Sequence, residues 1–176
     1  MSGQIGAFFE PLRVLTPLSI FVRFALAVLL GGIIGVERGK KRHPAGLRTH
    51  LVVCIGSASV MMVSQYVFYT LGSASDPARL GAQVISGIGF LGAGTIVVTG
   101  RNQVKGLTTA AGLWASACMG LAIGIGFYEC AVIMCLFLYL VLEVIDRLDA
   151  EHVKYSSKRQ LFVECDRAVH LGRLSR

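Results

Sequence analysis

Ionisable and amide side chains are sparse in the apolar runs of this sequence, so each one inside them needs a physical reason. Asp76, Arg79 and Gln83 fall within two turns of one helical segment, and Arg23 lies at comparable depth in another. Together they form a candidate polar cluster facing the interior of a helix bundle near its outer end. The plainer expectations are that Asp76 caps its helix and pairs with Arg79, and that Arg23 snorkels toward the nearer headgroups. A second set, Glu37, Arg38, Arg48, Thr49, Asn102, Lys105 and Thr108, collects at the opposite end. A Glu37–Arg48 pair there would clamp the first basic loop under the bundle, whereas Lys40, Lys41 and Arg42 read as solvated charges.

None of this is arranged for catalysis. The sequence has no HExxH, GxSxG or Walker loop, and its histidines fall in the loop around residues 43–50 and in the tail. The glycines of GIGFLGAG match a dinucleotide fingerprint only superficially, because no strand precedes them. A Mg²⁺ path would need carboxylates and retained waters at membrane depth. The acids Glu37, Asp76, Glu129 and Glu143 sit instead at the ends of apolar runs. No cofactor or metal site is expected, and the ligand pattern gives Mg²⁺ no support. The five cysteines, Cys54, Cys118, Cys130, Cys135 and Cys165, show no CxxC or zinc spacing.

The elements that must position these residues are membrane spans. With 176 residues, 54% of them hydrophobic and 15% charged, the chain carries more apolar surface than one small soluble core can hide. The spacing predicts an all-α helical membrane bundle of five transmembrane helices: Pro17 to Val36, Leu51 to Leu71, Leu80 to Val98, Leu107 to Gly126 and Tyr128 to Ile145. The third runs uncharged for about 29 Å at the helical rise, the thickness of a bilayer core. Before the first, Met1 to Thr16 lacks the basic region of a cleavable signal peptide.

Small residues punctuate spans one, three and four. Gly35, Ser86, Gly87, Gly89, Gly92 and Gly94 cost helix propensity unless another backbone approaches closely. The third span is therefore expected to be surrounded by other helices. In the fourth, Thr108, Gly112, Ser116, Gly120 and Gly124 recur every four residues and form one stripe. Spans three and four, joined by the short turn Thr99 to Gly106, should pack antiparallel. Trp114 lies too deep for an interfacial belt and is expected to face another helix. The fifth span, bulky and aliphatic, reads as lipid-facing.

The formal charge of +7 explains itself by position. Five Lys/Arg lie in Glu37 to His50, two in Thr99 to Gly106 and seven from Arg147 onward, out of 17. The alternate loops hold almost none, which places the N-terminus outside and the C-terminus in the cytoplasm. The basic excess is topology and does not call for nucleic acid. Beyond residue 146 the tail holds one candidate strand, Gln160 to Cys165, and too few residues for a core of its own.

GGIIGVER at Gly31 to Arg38, AGLRTH at Ala45 to His50, DPARLGAQVISGIGFLGAGTI at Asp76 to Ile96 and VKGLTTAAGLW at Val104 to Trp114 carry a resemblance. In order and spacing this stretch resembles the membrane domain of the MgtC/SapB family. The resemblance implies a bacterial inner-membrane protein linked to adaptation to low Mg²⁺ and acid stress and, in pathogens, to virulence. It further implies a regulator of other membrane proteins, the ATP synthase among them, and a soluble C-terminal domain of ACT-like fold of which only the start is here. Two functions stand: a non-enzymatic regulator whose small-residue faces dock onto partner membrane proteins or a second copy, and a Mg²⁺ or proton pathway through the bundle.

Overall fold

The first long helix starts where local hydrogen bonding tells it to. The Thr16 backbone N–H donates to Ser19 Oγ at 2.9 Å, and the Ser19 N–H donates back to Thr16 Oγ1 at 3.1 Å. This reciprocal cap satisfies two amides that a helix N-terminus would leave free, and Pro17 follows at the first helical position, where it loses no bond. The computed structural model describes residues 12–40, 43–70, 76–98 and 104–155, with side chains to residue 144. The tail strand expected at Gln160 to Cys165, and Asn102, lie outside the described residues. By contact the chain divides into Met1–Glu143 and Val144–Arg176, and the bundle belongs to the first unit.

Among the described residues the helices are α1 (Pro17–Lys40), α2 (Leu47–Thr70), α3 (Arg79–Thr95), α4 (Leu107–Ile125) and α5 (Tyr128–Tyr155). The chain reverses between α3 and α4 through two strands of two residues each, β1 (Val97–Val98) antiparallel to β2 (Val104–Lys105). Gly106 closes that turn at φ 95°, and a Cβ on it would collide with the carbonyl of Thr95, so only glycine fits there. Among the described residues three helices, α1, α2 and α4, are long and apolar enough to cross a membrane. The third span ends earlier than expected: α3 is 17 residues long and stops at Thr95, because Val97 and Val98 pair as strand. The last helix runs on to Tyr155, beyond the expected boundary at Ile145.

Glycines set how the helices meet. α2 is the hub, packed on α1 and α4. A Cβ on Gly35 would lie 2.7 Å from the Leu47 Cα, and one on Gly31 would lie 3.0 Å from Cys54 Cβ, so α1 and α2 run antiparallel almost backbone to backbone. On the other side of α2, Gly120 of α4 faces Cys54 and Ser57, and Gly124 faces Ala58 and Met61. α4 therefore runs parallel to α2. α3 lies antiparallel to α4, with Gly92 opposite Ala110 and Gly81 opposite Leu121. Ala27, Leu30, Ile34, Cys54, Ala58, Met119 and Ile123 fill the main core, and α5 joins it through Ala131, Cys135 and Leu142.

Two expectations about burial need correction. α3 is not surrounded: Gly81, Ile88 and Gly92 are buried, while Ser86, Gly87, Gly89, Phe90 and Gly94 are exposed. A Cβ at Gly87, Gly89 or Gly94 would meet nothing within 4 Å. Trp114 is 49% exposed and does not face into the bundle, because the buried face of α4 runs through Leu113, Ser116 and Ala117. As expected, α5 turns Val132, Ile133, Leu136, Phe137 and Leu140 outward.

Candidate functional site

Every α-helix leaves its last four carbonyls without helical partners, and the end of α4 lies inside the bundle. Gly126, at φ 87°, ends the helix in the left-handed conformation that glycine tolerates. Its N–H bonds the Ile123 carbonyl at 3.0 Å and that of Phe127 bonds the Ala122 carbonyl at 2.9 Å, the paired closure of a Schellman motif. Two carbonyls remain. Arg23 Nη1 donates to Gly124 O at 2.6 Å, and Gln65 Nε2 donates to Ile125 O at 3.0 Å. The four orphan acceptors are thus all satisfied.

Arg23 is fully buried and does not snorkel. Its Nη1 also donates to Gln65 Oε1 at 2.7 Å, its Nε to Tyr128 OH at 3.1 Å, and its Nη2 to the carbonyls of Leu12 and Arg13 at 3.2 and 2.7 Å. Tyr128 OH in turn donates to Leu12 O at 2.7 Å. The guanidinium lies at the negative end of the α4 dipole, which stabilises a cation, and among the described residues no carboxylate bonds it. One side chain therefore ties the segment before α1 to α1, α2, α4 and α5. Glu129 is engaged elsewhere, paired at the surface with Arg13.

The outer cluster expected from the sequence is accordingly split. Asp76, Arg79 and Gln83, with Ser64, Val67, Pro77 and Leu80, line a surface cleft of about 410 Å³, and Arg23 is not among them. Asp76 caps the turn that leads into α3, where its Oδ1 accepts the Ala78 N–H at 2.9 Å and its carbonyl accepts the Arg79 N–H at 3.1 Å. Among the described residues no ion pair joins Asp76 to Arg79. The Ser64 hydroxyl donates to Pro77 O and pins this turn to α2.

At the Gly106 end, the structure keeps Glu37 and Arg38 and changes their company. Both are buried, and both lie close enough to His50 to act on it electrostatically. Arg38 Nη2 reaches Thr109 Oγ1 at 3.4 Å, and Thr109, not Thr108, is the buried threonine. Thr108, Arg48 and Lys105 are exposed, and Thr49 borders a groove against α3. The expected Glu37–Arg48 clamp is absent among the described ion pairs, because Arg48 projects from the outer side of the first turn of α2.

Gln65, Tyr128, His50 and Thr109 join the buried polar groups without belonging to either cluster expected from the sequence. Gln65 lies in the polar second half of span two and Tyr128 begins span five; the signal for both is the end of α4 at Gly126, whose carbonyls must find donors. A span beginning at Leu51 leaves His50 in the loop, whereas α2 begins at Leu47 and carries it inside.

Residues 24–151 match the model of the MgtC family. The chain belongs to the MgtC family. It is 45% identical over 131 residues to a protein of Escherichia coli K12 named putative magnesium transporter YhiD, covering 72% of this chain and 60% of that one. It is 40% identical to Protein SapB of Bacillus subtilis, over 70% of this chain and 55% of that one. With Protein MgtC of Brucella abortus the identity is 45%, over 65% of this chain and 46% of that one. The chain thus spans about half to three-fifths of the length of these relatives. No solved structure gives a significant match. Family and apolar helices together make this a membrane protein of the MgtC type.

Proposed function

We propose that this chain is the membrane domain of a non-enzymatic regulator that works by docking its helices onto partner membrane proteins. It crosses the bacterial inner membrane five times, with the N-terminus outside and the C-terminus in the cytoplasm. Its role is adaptation to low Mg²⁺ or acid stress, with the ATP synthase among its partners. A second copy of the chain is a further partner. The observation that carries the reading is the division of labour between two glycine-rich helices. Gly120 and Gly124 of α4 are spent on α2, whereas Ser86, Gly87, Gly89 and Gly94 of α3 lie open, and a Cβ at any of these three glycines would touch nothing. In lipid, these uncovered small residues leave hollows on either side of Phe90, itself 83% exposed, into which a second helix can pack.

The five-span topology has support in length and charge. α3 covers about 26 Å at the helical rise, and the extended residues that follow add enough to reach the interface. The Lys/Arg bias of alternate loops sets its direction. A photo-crosslinking residue at position 89 or 94 in cell membranes tests the docking. It should give adducts to a second membrane protein, subunits of the ATP synthase or this chain itself, and Gly89→Leu should abolish those formed from position 94. Adducts to lipid alone would refute it.

One observation favours a second reading, a Mg²⁺ or proton pathway. The cleft beside Asp76, Arg79 and Gln83 opens at the start of α3, and a relative bears the name of a putative magnesium transporter. Flux through reconstituted vesicles that Asp76→Asn eliminates would establish that reading.

A further inference from the structure

The small-residue stripe of α4 is filled unevenly. At Gly120 and Gly124, α2 approaches so closely that no Cβ fits. At Gly112, which is also buried, a Cβ would find a single atom of the surroundings within 4 Å, the Nε2 of His50 at 3.7 Å. Of the three glycines in this stripe, only Gly112 has room beside it.

Two buried polar groups at or next to this level have no hydrogen-bond partner among the described residues. His50 is fully buried, and its Nδ1 lies 2.9 Å from the Gly46 carbonyl. A carbonyl only accepts, so in the neutral ring Nδ1 carries the proton and Nε2 presents a lone pair. Nε2 has no hydrogen-bond partner among the described residues, and neither has the fully buried hydroxyl of Ser116. Ser57 shows what a satisfied interior serine does: its hydroxyl donates to Val53 O at 2.8 Å. Ser116 follows Gly112 by one turn on the same face. Because Gly112 faces His50 and Gly120 faces Cys54, the register sets Ser116 between those two levels of α2. Leaving two such groups unpaired in an interior is costly, and proteins rarely do it.

We propose that the space at Gly112 is a binding site for one water-sized hydrogen-bonding molecule, water itself, which donates to His50 Nε2 and accepts from the Ser116 hydroxyl. The two groups supply the minimum of polar partners that an internal water needs, and a Cβ at Gly112 would meet nothing but the ring nitrogen within 4 Å. The site joins α2 to α4 at a level where, among the described residues, no direct hydrogen bond links His50 to Ser116. It also continues the polar stretch of Arg38 and Thr109, so that α1, α2 and α4 share one hydrogen-bonded layer at the Gly106 end. The site is separate from the open face of α3 and does not depend on the docking function.

The ¹⁵N shift of His50 Nε2 in the full chain, labelled with ¹⁵N-histidine in nanodiscs at alkaline pH, tests this. The resonance is assigned by its loss in His50→Asn. In the wild-type protein Nε2 should resonate upfield of a free imidazole acceptor, as a hydrogen-bonded nitrogen does. Gly112→Ala makes only ordinary contact with the ring. It should displace the water and move the signal to the free value. Gly112→Ser, nearly the same size, brings its own hydroxyl and should restore the bonded shift. A wild-type Nε2 at the free value, or alanine and serine variants with the same shift, would overturn the proposal. The wild-type measurement decides it alone should either variant fail to fold.

Discussion

Replacing Gly120 by alanine puts one methyl group into the closest helix contact of the bundle. The new Cβ would collide with the Cys54 carbonyl and lie 2.8 Å from Ser57 Cβ. Carbon pairs rest at about 3.5 Å or more, so α2 and α4 would have to part by about 0.7 Å. The obstructing atoms include backbone, which cannot rotate away. Overpacking of this kind costs up to about 3 kcal/mol, offset by about 1 kcal/mol from alanine's better helix propensity. The net loss of about 2 kcal/mol is roughly 30-fold in the folding equilibrium. Gly89→Ala is the control: its Cβ meets nothing, so only the propensity term remains and the variant should be as stable as wild type or more so. Both are measured by SDS titration in mixed micelles, read by helical circular dichroism. A Gly120→Ala variant no less stable than Gly89→Ala would refute the reasoning that close contact, not propensity, explains the glycines of α4.

Arg23→Leu removes the donor for Gly124 O, Gln65 Oε1 and Tyr128 OH at once. It should destabilise the bundle by about 3 kcal/mol or more in the same titration. Arg23→Lys should recover only part of this, because an ammonium cannot reproduce the planar fork, and full recovery would show that charge alone matters. Gln65→Leu leaves Ile125 O without its donor and should cost about 1 to 3 kcal/mol. Arg13→Ala breaks a pair whose side chains are 45% and 30% exposed and should cost about 1 kcal/mol or less, shrinking further with salt.

The parts of the fold set by period and composition were open to reading. The runs of apolar residues gave all five helices, and the four-residue spacing from Thr108 to Gly124 gave the buried stripe of α4 at every position but Thr108, which is exposed. Spacing could not say which side of α3 would be covered. Its glycines are spread around the helix, so Gly81 and Gly92 became buried while Gly87, Gly89 and Gly94 did not. Depth matching paired Arg23 with Asp76 and Gln83, yet the arginine answered to the end of α4, whose unmet carbonyls lie about 100 residues further along the chain. A charge in a membrane helix seeks any strong acceptor, and backbone carbonyls serve as well as carboxylates. The helix start four residues before Leu51 moved His50 from loop to interior, a boundary shift that no local signal at Leu51 marked.

The central claim is that backbone contact closes this bundle, so that the protein acts through its outer faces and not through a passage. Purified full chain in sealed vesicles, loaded with Mg²⁺-sensitive and pH-sensitive dyes and challenged with each gradient, tests it most directly. The account predicts Mg²⁺ and proton leak equal to that of protein-free vesicles. Flux that rises with protein content and falls on Asp76→Asn would contradict it.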